Sequence, residues 1–494
     1  MTATNERHLG TALFVIALGL LWGMPSTLFA AAPIPKRLSL EKCIDTAIKN
    51  NLELEIEYKK VKLAETRLGI SYREFFPDVK LKASETLGEL SVGDFEGRSF
   101  RMEGRQPLYH GGEIVASNQQ AREILKSSMA ASHRIEEEII FAVREAYFRL
   151  IGKKSILKQL QMDRMEAADF LKKIQEGVKD GVVAQIELLG VEYHLNQITN
   201  LYYSAIKDFR EAEYDLKAAM NVDAKEEVGI LNYDLDIFDF SSQIFEVKQA
   251  LQTIPQQIPA LAASMETAFN QRDEIFELRY KFNAEKYHVK VEKAKDYPSV
   301  DLVGNYGQAA EAFKQDKFDL DDEWLLGVEL KWVFGGNTAT YSYNQSKEAP
   351  QINTFESTKS QRHNLEFGVL DNLKVFSDQQ EANVQKLEAE RDLEEKVKKI
   401  YKEVTTAYYD LYRSLSKVVL NAAGVNHQKR SYEILEFRYK NREIEPSALM
   451  EKRVELSQSV AEYEQAVTDF FIGLAKLDQA VGQDDFVQIK QFLK

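Results

Sequence analysis

The amino-acid sequence predicts a mainly α chain with a small β contribution, in which long antiparallel coiled-coil helices carry four β-strands and the whole plan occurs twice. Three observations lead there. A proline-free helical pattern runs from about Glu113 to Gln175, with Ile135, Ile139, Val143, Ala146, Tyr147 and Leu150, then Leu157, Leu160, Ala168, Leu171 and Ile174, at steps of three and four. A second runs from near Val375 to about Tyr439, with Leu393, Val397, Ile400, Val404, Ala407, Leu411, Leu415, Val418 and Ala422 on its stripe. Between helices, alternating apolar and polar residues mark strands at corresponding places in the two halves. At 1.5 Å per residue, a helix of roughly 60 residues reaches about 90 to 100 Å, a length no compact domain requires.

The chain has 494 residues and a formal net charge of −14. That sign argues against nucleic acid as a partner, because phosphate binding needs a basic surface. A lone cysteine, Cys43, excludes an intrachain disulfide or a Cys-rich metal site and reads as a small buried hydrophobe. Near the N-terminus Arg7 precedes an apolar run from about Ala12 to Met24 and the small residues Ala30, Ala31 and Ala32. Residues 1–32 therefore read as a signal peptide rather than a membrane anchor. No later apolar run is long enough for a transmembrane helix, so an exported chain that still meets a membrane would do so as a β-barrel.

The first repeat is expected over residues 33–222. Leu38-Ser-Leu-Glu41 offers a serine N-cap to a helix carried by Ile44, Ala47, Ile48, Leu52, Ile56 and Leu68, and Phe76-Pro77 ends it. A strand pair follows over 78–109, led by Val79, Leu81 and Ala83 and closed by Gly111-Gly112. The long helix takes 113–176, a turn falls at Gly177 to Gly181, and a helix returns over 182–220. Residues 223–257 are acidic and aromatic and read as a mixed segment. The second repeat, 258–482, opens with a helix and a strand pair at 299–334. Phe76-Pro77-Asp78-Val79 there matches Tyr297-Pro298-Ser299-Val300, and Ala47 matches Ala268, at one offset of 221. The long helix (375–440) matches the first at an offset of 261: Val143-Arg-Glu-Ala-Tyr-Phe-Arg-Leu150 lies over Val404-Thr-Thr-Ala-Tyr-Tyr-Asp-Leu411. About 40 residues have thus been gained, mostly in an insert at 337–372 that is compatible with a hairpin or a loop. A last helix (447–481) and a tail (483–494) finish the chain.

Four strands cannot close into a barrel, and open edges do not occur in lipid. If these strands lie in a membrane, a symmetric oligomer is required, and three copies give 12 strands, an allowed even number. Tyr109, Tyr306, Trp324 and Trp332 near strand ends suit an aromatic girdle. The helices then bury narrow stripes against each other as coiled coils. Nothing points to catalysis or a cofactor: the seven histidines make no metal-type spacing, and no phosphate-cradling glycine loop or nucleophile elbow is present.

The order of Leu38-Ser-Leu-Glu41 with Ala47 and Asn51, Phe76-Pro77, Gln106-Pro-Leu-Tyr-His-Gly-Gly112, Ala146-Tyr147 and Ala407-Tyr408 resembles the TolC family of outer-membrane efflux and secretion channels. The resemblance covers nearly the whole mature chain. It implies a homotrimer with a barrel in outer-membrane lipid and a long α-helical tunnel in the periplasm, belted by segments such as 223–257 and the tail. It also implies a periplasmic adaptor and an inner-membrane transporter as partners, for efflux or type I secretion, with no cofactor. The family pattern at the periplasmic turns is Tyr-x-x-Gly, with an acidic residue six positions after the glycine. Gly181 and Glu187 fit it in the first repeat; in the second, Tyr439 fits, while Arg442 takes the glycine position and Ala448 the acidic one. By that resemblance Glu451, Glu187 and Tyr439 are the pore-constriction candidates, and Gly181, Val182, Val183, Arg442 and Ile444 form the adaptor-docking tips. Arg442 has Glu443 and Glu445 beside it as local ion-pair partners. The rival reading is an exported periplasmic coiled-coil scaffold without a pore. Interruption of both repeats by strands at matching positions counts against it.

Overall fold

A computed structural model describes residues 39–223, 258–313, 317–352 and 356–483. The expected signal peptide, nearly all of the mixed segment and nearly all of the tail lie outside these residues. Helices α1 (Leu40–Asn50) and α2 (Leu52–Arg73) lead into strands β1 (Asp78–Leu90) and β2 (Gly93–His110), then α3 (Glu113–Lys179) and α4 (Gln185–Ala219). The second half repeats this with α5 (Leu261–Gln271), α6 (Asp273–Ala294), β3 (Ser299–Phe313) and β4 (Asp321–Phe334). It then adds β5 (Asn337–Glu348) and β6 (Thr358–Gly368) before α7 (Lys374–Lys440) and α8 (Pro446–Val481).

The duplication holds at the level of element ends. α1 and α2 map onto α5 and α6 at the offset of 221, and both ends of α3 map onto both ends of α7 at 261, each helix having 67 residues. The single helix expected over Leu38 to about Glu74 is two helices. Asn51 leaves the helical conformation and its side chain accepts from the Leu54 backbone N–H, starting α2 afresh. Arg272, its counterpart, has the same extended backbone and divides α5 from α6. Ser39 is the N-cap of α1, as its position predicts. Cys43 is fully buried among Ala47, Val143 and Leu216, and burial pushes its thiol up to about 12.

α3 with α4, and α7 with α8, form two long antiparallel hairpins, and α3 also packs along α6 and α8. Among the described residues the core is divided into separate clusters. Val143, Leu150, Leu216 and Met220 make one cluster, and Leu411, Leu415, Phe470 and Leu477 another. Each is a narrow seam, which is how helices this long bury apolar stripes.

Four strands per chain are expected from the sequence; six occur among the described residues, because the insert at 337–372 carries the β5–β6 hairpin. All six form one antiparallel meander in the order β1-β2-β3-β4-β5-β6. Its two faces differ sharply. On one lie Val79, Leu81, Phe100, Met102, Leu302, Tyr306, Leu326, Leu330, Tyr341, Leu365 and Phe367, with Leu81 83% and Leu365 75% exposed. The other is polar and internally paired. Lys82 meets Glu103 at 2.6 Å, Arg101 meets Glu323 at 2.9 Å, and Asp301 takes Arg105 at 3.7 Å and His110 at 2.8 Å, while Arg105 also bonds Glu329. Among the described residues no helix is long and apolar enough to cross a membrane.

Candidate functional site: the helix tips

Each long helix ends in the same turn. In the first, Val182 N–H donates to Gly177 C=O and Gly181 N–H to Val178 C=O, with Gly181 at φ 74°. In the second, Glu443 N–H donates to Arg438 C=O and Arg442 N–H to Tyr439 C=O, with Arg442 at φ 62°. Both are Schellman caps, which need a left-handed residue at the position after the cap. Arg442 therefore occupies the glycine site in conformation as well as in alignment, a placement that costs a side-chain-bearing residue about 1 to 2 kcal/mol.

The expected local pairing of Arg442 is not formed. Glu443 is held by Arg438 at 3.2 Å, and no ion pair to Arg442 occurs among the described residues. Gly181, Val182 and Arg442 are exposed and Ile444 is half-buried. Val183 differs, being tucked against Gly177 within a cluster built from Ala167, Ile174, Val191, Met450 and Val454.

The two hairpins of the chain are fastened to each other just behind these turns. Glu187, on the first turn of α4, reaches the first turn of α8, where its Oε2 accepts from Ser447 Oγ at 2.6 Å and from Ser447 N–H at 3.2 Å. α8 begins with Pro446 and has no side-chain cap of its own, so Glu187 supplies the acceptor that its N-terminus lacks. Close approach makes this possible: a Cβ on Gly190 would sit 2.8 Å from the Ser447 Cβ. Tyr439 of α7 packs edge-on against Phe170 of α3, ring centroids 5.5 Å apart, and burial raises its hydroxyl above the usual tyrosine range. Further in, Arg453 of α8 bonds Glu166 of α3 and lies over the ring of Tyr432 of α7. Beside it Asp163 is buried, and that burial raises its carboxyl despite the bond from Gln159 and the charge of Arg453.

Of the three constriction candidates, Glu187 and Tyr439 meet in this clasp between hairpins, and Glu451 is apart from it. Glu451 is exposed on α8, one turn beyond Ser447. Ser447, Gly190, Phe170, Glu166 and Arg453 were not singled out from the sequence. Only two carried a signal: Gly190 as a glycine within a helix, and Ser447 as the residue after a helix-opening proline. The girdle candidates fall at two levels. Tyr306 and Trp324 are cross-strand partners, whereas Tyr109 and Trp332 lie at the helix side, where Trp332 Nε1–H donates to Asp296 C=O at 3.0 Å. No group of side chains able to hold a metal ion occurs among the described residues.

A comparison with known protein families finds none that matches, and one with curated proteins finds no relative. Solved structures do match. The chain is similar to the outer-membrane channel OprN, with a TM-score of 0.67 at 14% identity over 90% of this chain and 89% of that one. It is similar to the CmeC outer membrane channel of Campylobacter jejuni, with a TM-score of 0.66 at 18% identity over 96% and 94%. The MtrE outer membrane channel of Neisseria gonorrhoeae, in its open state, gives 0.66 at 14% over 90% and 89%. The fold of this chain is thus that of outer-membrane channels, mostly helical with an antiparallel sheet at one end.

Proposed function

We propose that the chain is one subunit of a trimeric exit duct of the TolC type, set in the outer membrane by its sheet and extending into the periplasm by its helices. The observation that carries this reading is the two-faced sheet: one face is broadly apolar and exposed, the other polar and ion-paired, and the strands run directly into helices of 67 residues. A barrel wall between lipid and water needs that alternation, and a coiled-coil scaffold has no use for it. The fold shared with outer-membrane channels supports the same reading.

In this reading the duct is passive. An inner-membrane transporter supplies energy, and a periplasmic adaptor docks on the tips, at exposed Gly181, Val182 and Arg442 and half-buried Ile444. Opening separates the hairpins, so the Glu187–Ser447, Tyr439–Phe170 and Arg453–Glu166 contacts are what hold the resting state. Three copies of Glu451 near the axis attract cations and favour positively charged traffic. Efflux of small molecules and type I secretion of polypeptide both fit such a duct. Fractionation and gel migration test the reading: the protein is expected in the outer-membrane fraction, with migration that changes on heating. Recovery in the soluble periplasmic fraction would favour the scaffold.

A further inference from the structure

The β5–β6 hairpin leaves and rejoins the chain at one point. Asn372 N–H donates to Gly336 C=O at 3.1 Å, so α7 starts where it would start without the insert. The hairpin is therefore a closed excursion whose strands simply widen the sheet, by about 4.8 Å each. Its polar face carries Thr340, Ser342, Asn344, Arg362 and Asn364, in register with Glu329 and Gly327 of β4, and its other face carries Ala339, Tyr341, Tyr343, Leu365 and Phe367. Both faces continue those of β1 to β4.

The level of the apolar band identifies what the hairpin is part of. Leu81 at the centre of the band on β1 lies in the row of Met102, Tyr306, Trp324, Lys347 and Lys359. On β6 the band is at Leu365 and Phe367, six to eight residues nearer the helices than Lys359, over five strand steps. On β4 it spans Leu326 to Trp332, in between. A flat sheet standing upright in a membrane would show no drift. Strands tilted by 35 to 45° in a barrel stagger by about 1.0 to 1.5 residues per step, which matches.

We infer that β5 and β6 are membrane wall, so that three copies close an 18-stranded barrel in which β6 of each chain pairs with β1 of the next. This rests on the trimeric duct proposed above and adds the width of its outlet. β1 and β6 run in opposite directions, as an antiparallel closure requires, and 18 is even and within the known range. Barrel diameter grows roughly linearly with strand number, so the outlet is about 1.5-fold wider than four strands per chain would make it. A lining of Ser342, Asn344 and Asn364 suits bulky hydrophilic cargo.

Interchain disulfides test the closure. In a Cys43→Ser background, Asn364→Cys on β6 is combined in turn with Lys80→Cys, Lys82→Cys or Ser84→Cys on β1, all on the polar face. A parallel series replaces Asn364→Cys with Leu325→Cys on β4. The expected result is a covalent trimer in the first series and none in the second. A trimer only in the second series, or in neither, overturns the inference. A second measurement images the full chain and a variant lacking residues 337–371 by electron microscopy. The barrel is expected to narrow by about a third while the helical tunnel is unchanged; equal diameters overturn the inference. If the full chain assembles no barrel at all, the duct reading itself fails, which neither of the other results implies.

Discussion

Glu187 sits where one carboxylate serves two helices. It lies in the first turn of α4, and it also completes the N-terminus of α8 through Ser447. Glu187→Ala is expected to cost about 1 kcal/mol, the usual loss when a helix cap is removed, read as a lower unfolding midpoint. In the proposed duct, where this clasp holds the resting state, the same variant should raise spontaneous opening events in a bilayer. Gly190→Ala tests the geometry by a different route, since its methyl group would meet Ser447 and push the two helices apart. At the turns, Gly181→Ala should lower stability by about 1 kcal/mol, whereas Arg442→Gly should not lower it, because only the first change introduces a strained residue. Asp163 gives a dependence on pH. Burial raises its carboxyl in the folded state, so the folded chain takes up a proton before the unfolded chain does, and stability grows as pH falls through that range. Asp163→Asn is expected to be more stable than the parent at neutral pH, with the gain shrinking as the solution is acidified. An equal gain at every pH would contradict this. The Glu187–Ser447 bond could not be read from sequence spacing, because the two residues lie 260 apart and meet only through the packing of two hairpins.

At the level of elements, the long helices were legible because their stripes persist for many turns and recur at a fixed offset. Val143 and Val404 are both fully buried, as the alignment of their neighbourhoods implies. The break at Asn51 was not, because Ile48, Leu52 and Ile56 keep an apolar stripe running across it. The hairpin in the insert escaped for another reason. Its outward positions mix Tyr341, Tyr343 and Phe367 with Gln345, Gln361 and His363, which hides the alternation that Val79, Leu81 and Ala83 display on β1. The register turns that mixture into a prediction. Leu365→Lys places a charge on the apolar face, at a cost of up to about 2 to 4 kcal/mol in the middle of a bilayer. It should reduce assembly of the heat-modifiable form, while Ser342→Lys on the polar face should leave it unchanged.

For the whole molecule, the seams between helices and the faces of the sheet perform different tasks. The helices bury only narrow stripes and leave charged surfaces to water, which suits staves that must shift against each other. The sheet leaves a band of apolar surface exposed across one face, a burden in water and a requirement in lipid. Duplication joins the two: each repeat sends a strand pair into the sheet and a hairpin to the tips, and the repeats then diverge at Arg442, at Ala448 and at the added hairpin. The most direct measurement is single-channel recording of the purified protein in a planar bilayer. Discrete conductance steps are predicted, favouring cations, with Glu451→Gln reducing that preference and Glu187→Ala increasing the time spent open. Protein that inserts into the bilayer but never conducts, in the parent and in Glu187→Ala alike, would contradict a duct.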